Sequence, residues 1–201
     1  MKDITLDLLP PILASSSPRR RQWMESLRIP CEVCAPEVDE SPLPGEDPES
    51  MVERLACVKA DVVARAQPGR WVIASDTTVA VDHHVLGKPE DEADAVRMLG
   101  LIQGRTHQVH TGLCLQKDDE IHSFVDTAQV TLRAMSPAQR CWYAATGEPM
   151  DKAGAYAVQG ITAMFIERIE GSFPTVMGFP VERFGVLAER LGLLKEWLRM
   201  P

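Results

Sequence analysis

The chain of 201 residues has no apolar run approaching the ~18 residues of a membrane span. Acidic residues also interrupt its N-terminal stretch MKDITLDLLPPILASSS before a signal-peptide core could form. These absences lead us to expect a cytoplasmic protein that does not enter a membrane. Positive charge is scarce as well: 21 Lys and Arg against 29 Asp and Glu give a net charge of −8. That balance leaves no broad basic footprint for nucleic acid, so no general nucleic-acid binding is expected and any anion must be handled locally. GxxxxGK[ST], GxSxG and HExxH are all missing, which excludes a P-loop as the means of holding phosphate. No internal repeat, low-complexity tract or long linker is present. The five cysteines, Cys31, Cys34, Cys57, Cys114 and Cys141, are odd in number and scattered, which suits reduced core thiols better than a disulfide framework. Cys31-Glu-Val-Cys34 lacks the second pair or histidine cluster of a zinc site and reads as two half-buried thiols.

What is present is ordinary globular composition, 45% hydrophobic and 25% charged, enough for one domain over residues 1–201. An apolar strand at Ile12 runs into ASSSPRRR. Ser17 is placed to cap a helix and Pro18 to start it, with Trp23, Met24 and Leu27 as its apolar stripe. Arg19, Arg20 and Arg21 then fill the first turn, where cations oppose the helix dipole and phosphate suits it. The acidic, proline-rich stretch from Pro36 to Pro48 predicts a surface loop. Asp47 and Pro48 begin a helix to about Ala66 with a stripe of Val52, Leu55, Ala56, Val62, Val63 and Ala66, and Lys59 falls on that stripe.

Farther along, a buried strand at Trp71–Ala74 leads into Ser75-Asp76-Thr77-Thr78, so that Asp76 is expected at a strand end, followed by a β-rich Val79–Val81. His83 and His84 fall in a turn, Gly87-Lys88-Pro89 ends the hairpin, and a helix with Ala93, Val96, Met98 and Leu99 inward covers Glu90 to about Leu101. Thr106–Gln116 and Ile121–Arg133 predict a long hairpin, and Ser136-Pro137 a capped helix to about Thr146. The glycine-broken loop from Asp151 to Gly160 is a candidate binding loop. A strand over Ala163–Ile169, a turn at Gly171–Pro174, a helix from Pro180 to about Arg190 and a short helix at Trp197 complete the chain. This order predicts an α/β protein with a mixed, twisted sheet flanked by helices.

Asp76 is a candidate metal ligand or base, against the commoner role of an Asp that caps its own turn. Asp39 and Glu40 are a second carboxylate source, against simple solvation. Arg19, Arg20, Lys59, Lys88 and Lys152 are cations at element junctions of an otherwise acidic chain. With carboxylates suited to a hard cation such as Mg²⁺, these are the parts of a triphosphate site. His107 and His110 are three apart on a strand and face opposite sides, so they cannot share an ion, and all five histidines read as structural or exposed.

The ordered strings ASSSPRR, RLACVKA, SDTTV, GKP, DKAGAYAVQG and GSFPTVMGFP resemble the Maf family of nucleoside triphosphate pyrophosphatases from about Ile12 to about Leu193. The resemblance implies a single Maf-like domain, ITPase-like in fold, in two lobes around a central cleft. It also implies hydrolysis of a nucleoside triphosphate to monophosphate and pyrophosphate with a divalent cation, Mg²⁺ or Mn²⁺. On that resemblance Asp76 is the proton acceptor, Arg19, Thr77 and Gln159 select the base, and Ser15, Arg20, Lys59 and Lys88 meet phosphate. Asp151 and Lys152 line the pocket, and Glu40 with Asp76 holds the metal. Pro18 directly before Arg19, Thr77 after Asp76 and the intact Asp151–Tyr156 string resemble the branch acting on dTTP and UTP. The branch acting on 7-methyl-GTP is the alternative, as is a nucleotide-binding regulator of septum formation. The resemblance extends to a homodimer. Thr175 stands where the family frequently has asparagine, and Arg21 is an addition with no assigned role.

Overall fold

The computed structural model describes residues 9–82 and 84–198; the readings at the N-terminal stretch before Leu9 and at His83 lie outside them. Its strands are β1 (Ile12–Ala14), β2 (Glu32–Val33), β3 (Val72–Val81), β4 (His84–Leu86), β5 (Thr106–Lys117), β6 (Glu120–Leu132) and β7 (Ile166–Glu170). Its helices are α1 (Pro18–Ser26), α2 (Pro48–Ala66), α3 (Glu92–Ile102), α4 (Pro137–Ala145), α5 (Phe173–Val176), α6 (Val181–Arg190) and α7 (Leu193–Trp197). The strand order is β2-β1-β3-β5-β6-β7, with β4 paired to β3. β1 is parallel to β2 and β3, whereas β4 and β7 are antiparallel to their neighbours, so the sheet is mixed as expected. Among the described residues no helix is long and apolar enough to cross a membrane.

The chain divides into two units. The first holds residues up to Asp76, Gly112–Asp126 and the segment from Gly178 on; the second holds Thr77–Thr111 and Thr127–Met177. In the first unit, period-two alternation sorts the strand residues between two apolar layers. Ile12, Ala14, Val72, Ala74 and Cys114 pack with Ala56, Ala60 and Val63 of α2. Leu13, Ile73, Leu113 and Leu115 pack with Met24 of α1, Phe184 and Leu187 of α6, and Trp197 of α7. In the second unit Val79, Val81, Val109, Val130 and Leu132 share a core with Met98 and Leu99 of α3 and Tyr143 and Ala144 of α4.

Several expectations need correction. The strand through Ile73 does not stop at Ala74: β3 runs unbroken to Val81, because the β-branched Thr77, Thr78 and Val79 suit a strand and Val79–Val81 pair with β4. Asp76 is therefore mid-strand and not at a strand end. The predicted strand over Ala163–Ile169 begins as a 3₁₀ turn, Ile161–Phe165, and becomes extended only from Ile166. The turn at Gly171–Pro174 runs into the short helix α5. Val62 and Ala66 of α2 are exposed, and the inward set includes Met51, Ala60 and Ala64 instead. On α3, Ala93 is exposed and Ala95 inward. Cys34 and Cys141 are exposed, not half-buried or core. Asp47 and Ser136 cap their helices through side-chain oxygens, as read. Ser17 occupies its cap position without a side-chain cap bond; its own N–H donates to Ser15 Oγ at 3.2 Å.

Candidate active site

The first unit builds an acid–cation centre from the sheet outward. β1 and β3 are parallel, and their last paired residues are Ala14 and Ala74. Ser15 and Ser75 follow directly. β1 ends there while β3 continues, which leaves Asp76 beyond the carboxyl end of the shorter strand. That end of a parallel pair is where open α/β sheets take ligands.

Alternation decides what each side chain meets. Asp76 is on the face of Val72 and Ala74, toward α2, and Lys59 lies on the buried stripe of that helix. Lys59 is 7% exposed and Asp76 8%. The Lys59 Nζ donates to Asp76 Oδ1 at 2.5 Å, and Glu40 Oε1 lies 2.6 Å from the same ammonium. Lysine on an apolar stripe thus does not snorkel to water; it is held inside by two carboxylates, the circumstance in which a buried ammonium is tolerated. Glu40 reaches it from the acidic loop and keeps its own side chain half in solvent.

Ser75 points to the opposite face, and its hydroxyl donates to the Gly178 carbonyl at 3.0 Å. Arg20, on the first turn of α1, donates from Nε to the same carbonyl at 2.9 Å and from Nη1 to Ser15 Oγ at 3.2 Å. Its fork is thereby aimed by two fixed acceptors, one on the loop before α6 and one at the end of β1. Desolvation lowers the Arg20 pKa from its ordinary value, Asp76 and Glu40 raise it, and Arg19 lowers it further. Those four residues therefore feel one another. Arg19 is half-buried and Arg21 exposed.

The second unit carries the other candidates. Thr77 Oγ1 is 3.0 Å from Thr111 Oγ1, whose hydroxyl donates to the Thr175 carbonyl at 2.8 Å. The buried Thr175 makes this contact through its backbone carbonyl. Lys88 and Gln159 are exposed. The Gly87 carbonyl accepts from the Gly154 N–H at 3.0 Å, which brings the Gly-Lys-Pro turn against the loop that follows Lys152. Gly154 is required there: its φ is +68°, and an added Cβ would lie 2.9 Å from a Val79 methyl. Lys152 pairs with Asp151 and also donates to the Glu148 carbonyl at 3.1 Å.

Sequence reasoning missed the anchor of this loop. Glu148 Oε1 accepts from Tyr143 Oη at 2.8 Å and from the Ile161 N–H at 3.0 Å, and Thr162 Oγ1 donates to Tyr143 Oη at 2.6 Å. Those contacts clamp both ends of the segment that presents Gln159. One tyrosine and one glutamate, five apart, carry no pattern that distinguishes them from a helix end. His107 and His110 are buried apart, as alternation requires: His107 Nε2 lies 2.8 Å from Tyr156 Oη and His110 Nδ1 2.9 Å from Thr127 Oγ1. His84 is exposed and His122 pairs with Glu120.

A metal must be tested against these residues. Among the described residues no three His, Cys, Asp or Glu gather as a ready-made cage. Asp76 and Glu40 are brought together by the Lys59 ammonium between them, and two carboxylates with further oxygens from substrate phosphate are the donor set Mg²⁺ accepts. The pair fits a substrate-completed site.

Fold and centre together define a mixed α/β protein with a buried acid–cation pair at the carboxyl end of a parallel strand pair. The chain belongs to the Maf family: Maf-like protein is the family that matches, over residues 10–191. A dTTP/UTP pyrophosphatase of Myxococcus xanthus is 47% identical over 186 residues, covering 92% of this chain and 94% of that one. One from Symbiobacterium thermophilum is 47% identical over 172 residues, 86% and 89% of the two chains. One from Acinetobacter baylyi is 43% identical over 183 residues, 91% and 97%. Among solved structures, a HAM1 protein from Coxiella burnetii covers 89% of this chain and 98% of its own at 13% identity and a TM-score of 0.49.

Proposed function

We propose that this chain is a nucleoside triphosphate pyrophosphatase that hydrolyses dTTP and UTP to the monophosphate and pyrophosphate. The observation that carries the reading is the buried Asp76–Lys59 pair, joined by Glu40 from the acidic loop and beside Arg20, in a chain 47% identical to proteins named for that activity.

In this reading Arg20, Lys59, Lys88 and the Ser15 hydroxyl hold the triphosphate. Arg20 suits the task because its fork is already oriented by Gly178 and Ser15, so little freedom remains to be lost on binding. Asp76 and Glu40 would hold a Mg²⁺ or Mn²⁺ ion, which when bound supplies a further positive charge against the phosphate oxygens. Asp76 Oδ1 is engaged by Lys59, and Asp76 Oδ2 takes the proton of the water that attacks the α-phosphorus. The bond from that phosphorus to the bridging oxygen breaks, and Arg20, Lys59 and Lys88 offset the charge that builds on the departing pyrophosphate. Thr77, Gln159 and Arg19 meet the base, while Asp151 and Lys152 pair with each other at the edge of the loop. A purine at a site built for a pyrimidine leaves buried polar groups unpaired, which discriminates strongly. A single two-lobed domain, a cytoplasmic location and a homodimer complete the proposal.

The test is a panel of nucleotides with Mg²⁺ or Mn²⁺, read as pyrophosphate release. dTTP and UTP are expected to turn over fastest, with loss on chelation and recovery on adding back the ion. Much faster turnover of 7-methyl-GTP would refute the pyrimidine reading, and tight binding with no release would refute the enzyme.

A further inference from the structure

Cysteines that the sequence scatters are brought together in the first unit. Gly112 of β5 lies against α2 so closely that an added Cβ would fall 2.3 Å from the Val52 carbonyl oxygen. Farther along both elements, Gln116 Nε2 donates to Asp61 Oδ1 at 3.3 Å. Between these two contacts the strand advances four residues and the helix nine, a rise of about 13 Å in each case. Helix and strand therefore run side by side in matched register. Cys114, on the same strand face as Gly112 and Gln116, falls midway, as does Cys57 between Val52 and Asp61. Cys57 packs against the apolar cluster that holds Cys114. Neither belongs to the Cys31–Cys34 motif.

Their surroundings differ. Cys114 is fully buried among Ala14, Ala56, Ala60 and Ala74, whereas Cys57 is half-buried. The neighbouring Cys114 brings the Cys57 thiol down to about 7, against the opposing effects of burial and Glu53. Cys57 in turn, followed by burial, pushes the Cys114 thiol up. A thiolate near neutral pH that is reachable from solvent, with a thiol partner in contact, has the two properties that thiol oxidation requires.

We propose that Cys57 and Cys114 form a site of reversible oxidation by a peroxide, with Cys57 as the attacking thiol and Cys114 as the resolving one. The Cys57 thiolate attacks a peroxide oxygen, the O–O bond breaks, water leaves after proton uptake, and Cys57 becomes a sulfenic acid. Cys114 sulfur then attacks Cys57 sulfur, the S–O bond breaks, a second water leaves and the disulfide closes. Two thiols give up two electrons in all, and one hydrogen peroxide takes them to yield two waters.

The full chain is treated in reduced form with one equivalent of hydrogen peroxide, unfolded in N-ethylmaleimide, digested and mapped by mass spectrometry. A Cys57–Cys114 linked peptide, removed by dithiothreitol, is the expected product. In Cys114→Ala and Cys114→Ser, Cys57 is expected to persist as a sulfenic acid that dimedone captures; in Cys57→Ser, Cys114 should remain a free thiol. The proposal is overturned if the wild-type map shows Cys57 unlinked, or oxidised to the sulfinic acid with Cys114 still alkylated. It is equally overturned if disulfide forms only at Cys31–Cys34. The wild-type map needs no substitution and decides the pairing even where a variant folds poorly.

Discussion

The two units place their candidate residues by opposite means. In the first, charged side chains sit on regular elements: Asp76 on β3 and Lys59 on α2 hold each other as an ion pair, and Arg20 on α1 is aimed by a carbonyl and a hydroxyl. In the second, the charged candidates sit on turns and a glycine-broken loop, where the chain is tied mainly by backbone donors, as in Gly154 to Gly87 and Ile161 to Glu148. A charge pair inside a core is costly to assemble and costly to break, so it fixes a position strongly. A loop tied by hydrogen bonds is fixed by many terms of about 1 kcal/mol each, and any one can be lost with a graded effect. Chemistry is expected to fail sharply in the first unit, and selectivity to drift in the second.

The largest effect is therefore expected at Asp76. Asp76→Asn keeps the shape and removes the proposed proton acceptor, so kcat for pyrophosphate release is expected to fall by about 10²–10⁴-fold, with KM for dTTP changed far less. A fall in affinity with kcat retained would move Asp76 from the chemistry to binding, and the contrast between the units would lose its centre.

Acid should break the second unit first. Burial lowers His107 from 6.5 to about 4, so in the folded protein it stays neutral where an unfolded chain would bind a proton. A folded pKa below the unfolded one in a histidine means that stability is complete above about pH 6.5 and is lost as the pH falls toward 4, by about 3 kcal/mol in all. Urea denaturation at pH 7 and at pH 4.5 checks this. His107→Gln should flatten the difference between the two curves while keeping a polar partner for Tyr156.

The two regions also differ in how far they were legible. Asp76, Lys59 and Arg20 could be singled out because each breaks a rule of the element it occupies: a carboxylate beside a buried strand, a lysine on an apolar stripe, arginines at the positive end of a helix. Their meeting could not be read, since Glu40 and Lys59 are joined by the path of an acidic loop that has no period. The alternation of β5 did separate His107 from His110. The same kind of reading misplaced the end of β3, because Ser75 and Asp76 are as common in turns as elsewhere, and it is pairing within the sheet, with β5 and β4, that keeps the strand extended. Glu148 and Thr111 left no trace at all. A hydrogen bond across an irregular loop depends on tertiary position, and nothing in the local composition records it.

Glu148 offers the next test. Glu148→Gln keeps the volume but weakens the acceptor shared by Tyr143 and Ile161, at an expected cost of about 1–2 kcal/mol in stability. Should Gln159 meet the base as proposed, KM for dTTP and UTP rises several-fold with kcat nearly unchanged. A proportional fall in kcat would mean that the loop takes part in the chemistry, and the division between the units would have to be redrawn.

The smallest effect concerns the direction of one hydrogen bond. Thr111 has a single hydroxyl proton, and it is committed to the Thr175 carbonyl at 2.8 Å. In the 3.0 Å contact between the two threonines, Thr77 must then be the donor. Its oxygen therefore offers lone pairs, not a proton, to whatever meets it. An acceptor suits the N3–H of thymine or uracil and opposes the N3 lone pair of cytosine. Thr111→Val removes this fixed polarity: Thr77 can rotate and donate, and the buried Thr175 carbonyl loses its partner. The expected outcome is a loss of about 1–2 kcal/mol in stability, with the ratio of kcat/KM for dTTP over dCTP reduced by about 10-fold. An unchanged ratio would show that Thr111 does not set what Thr77 presents, and that selectivity resides in the loop around Gln159 instead.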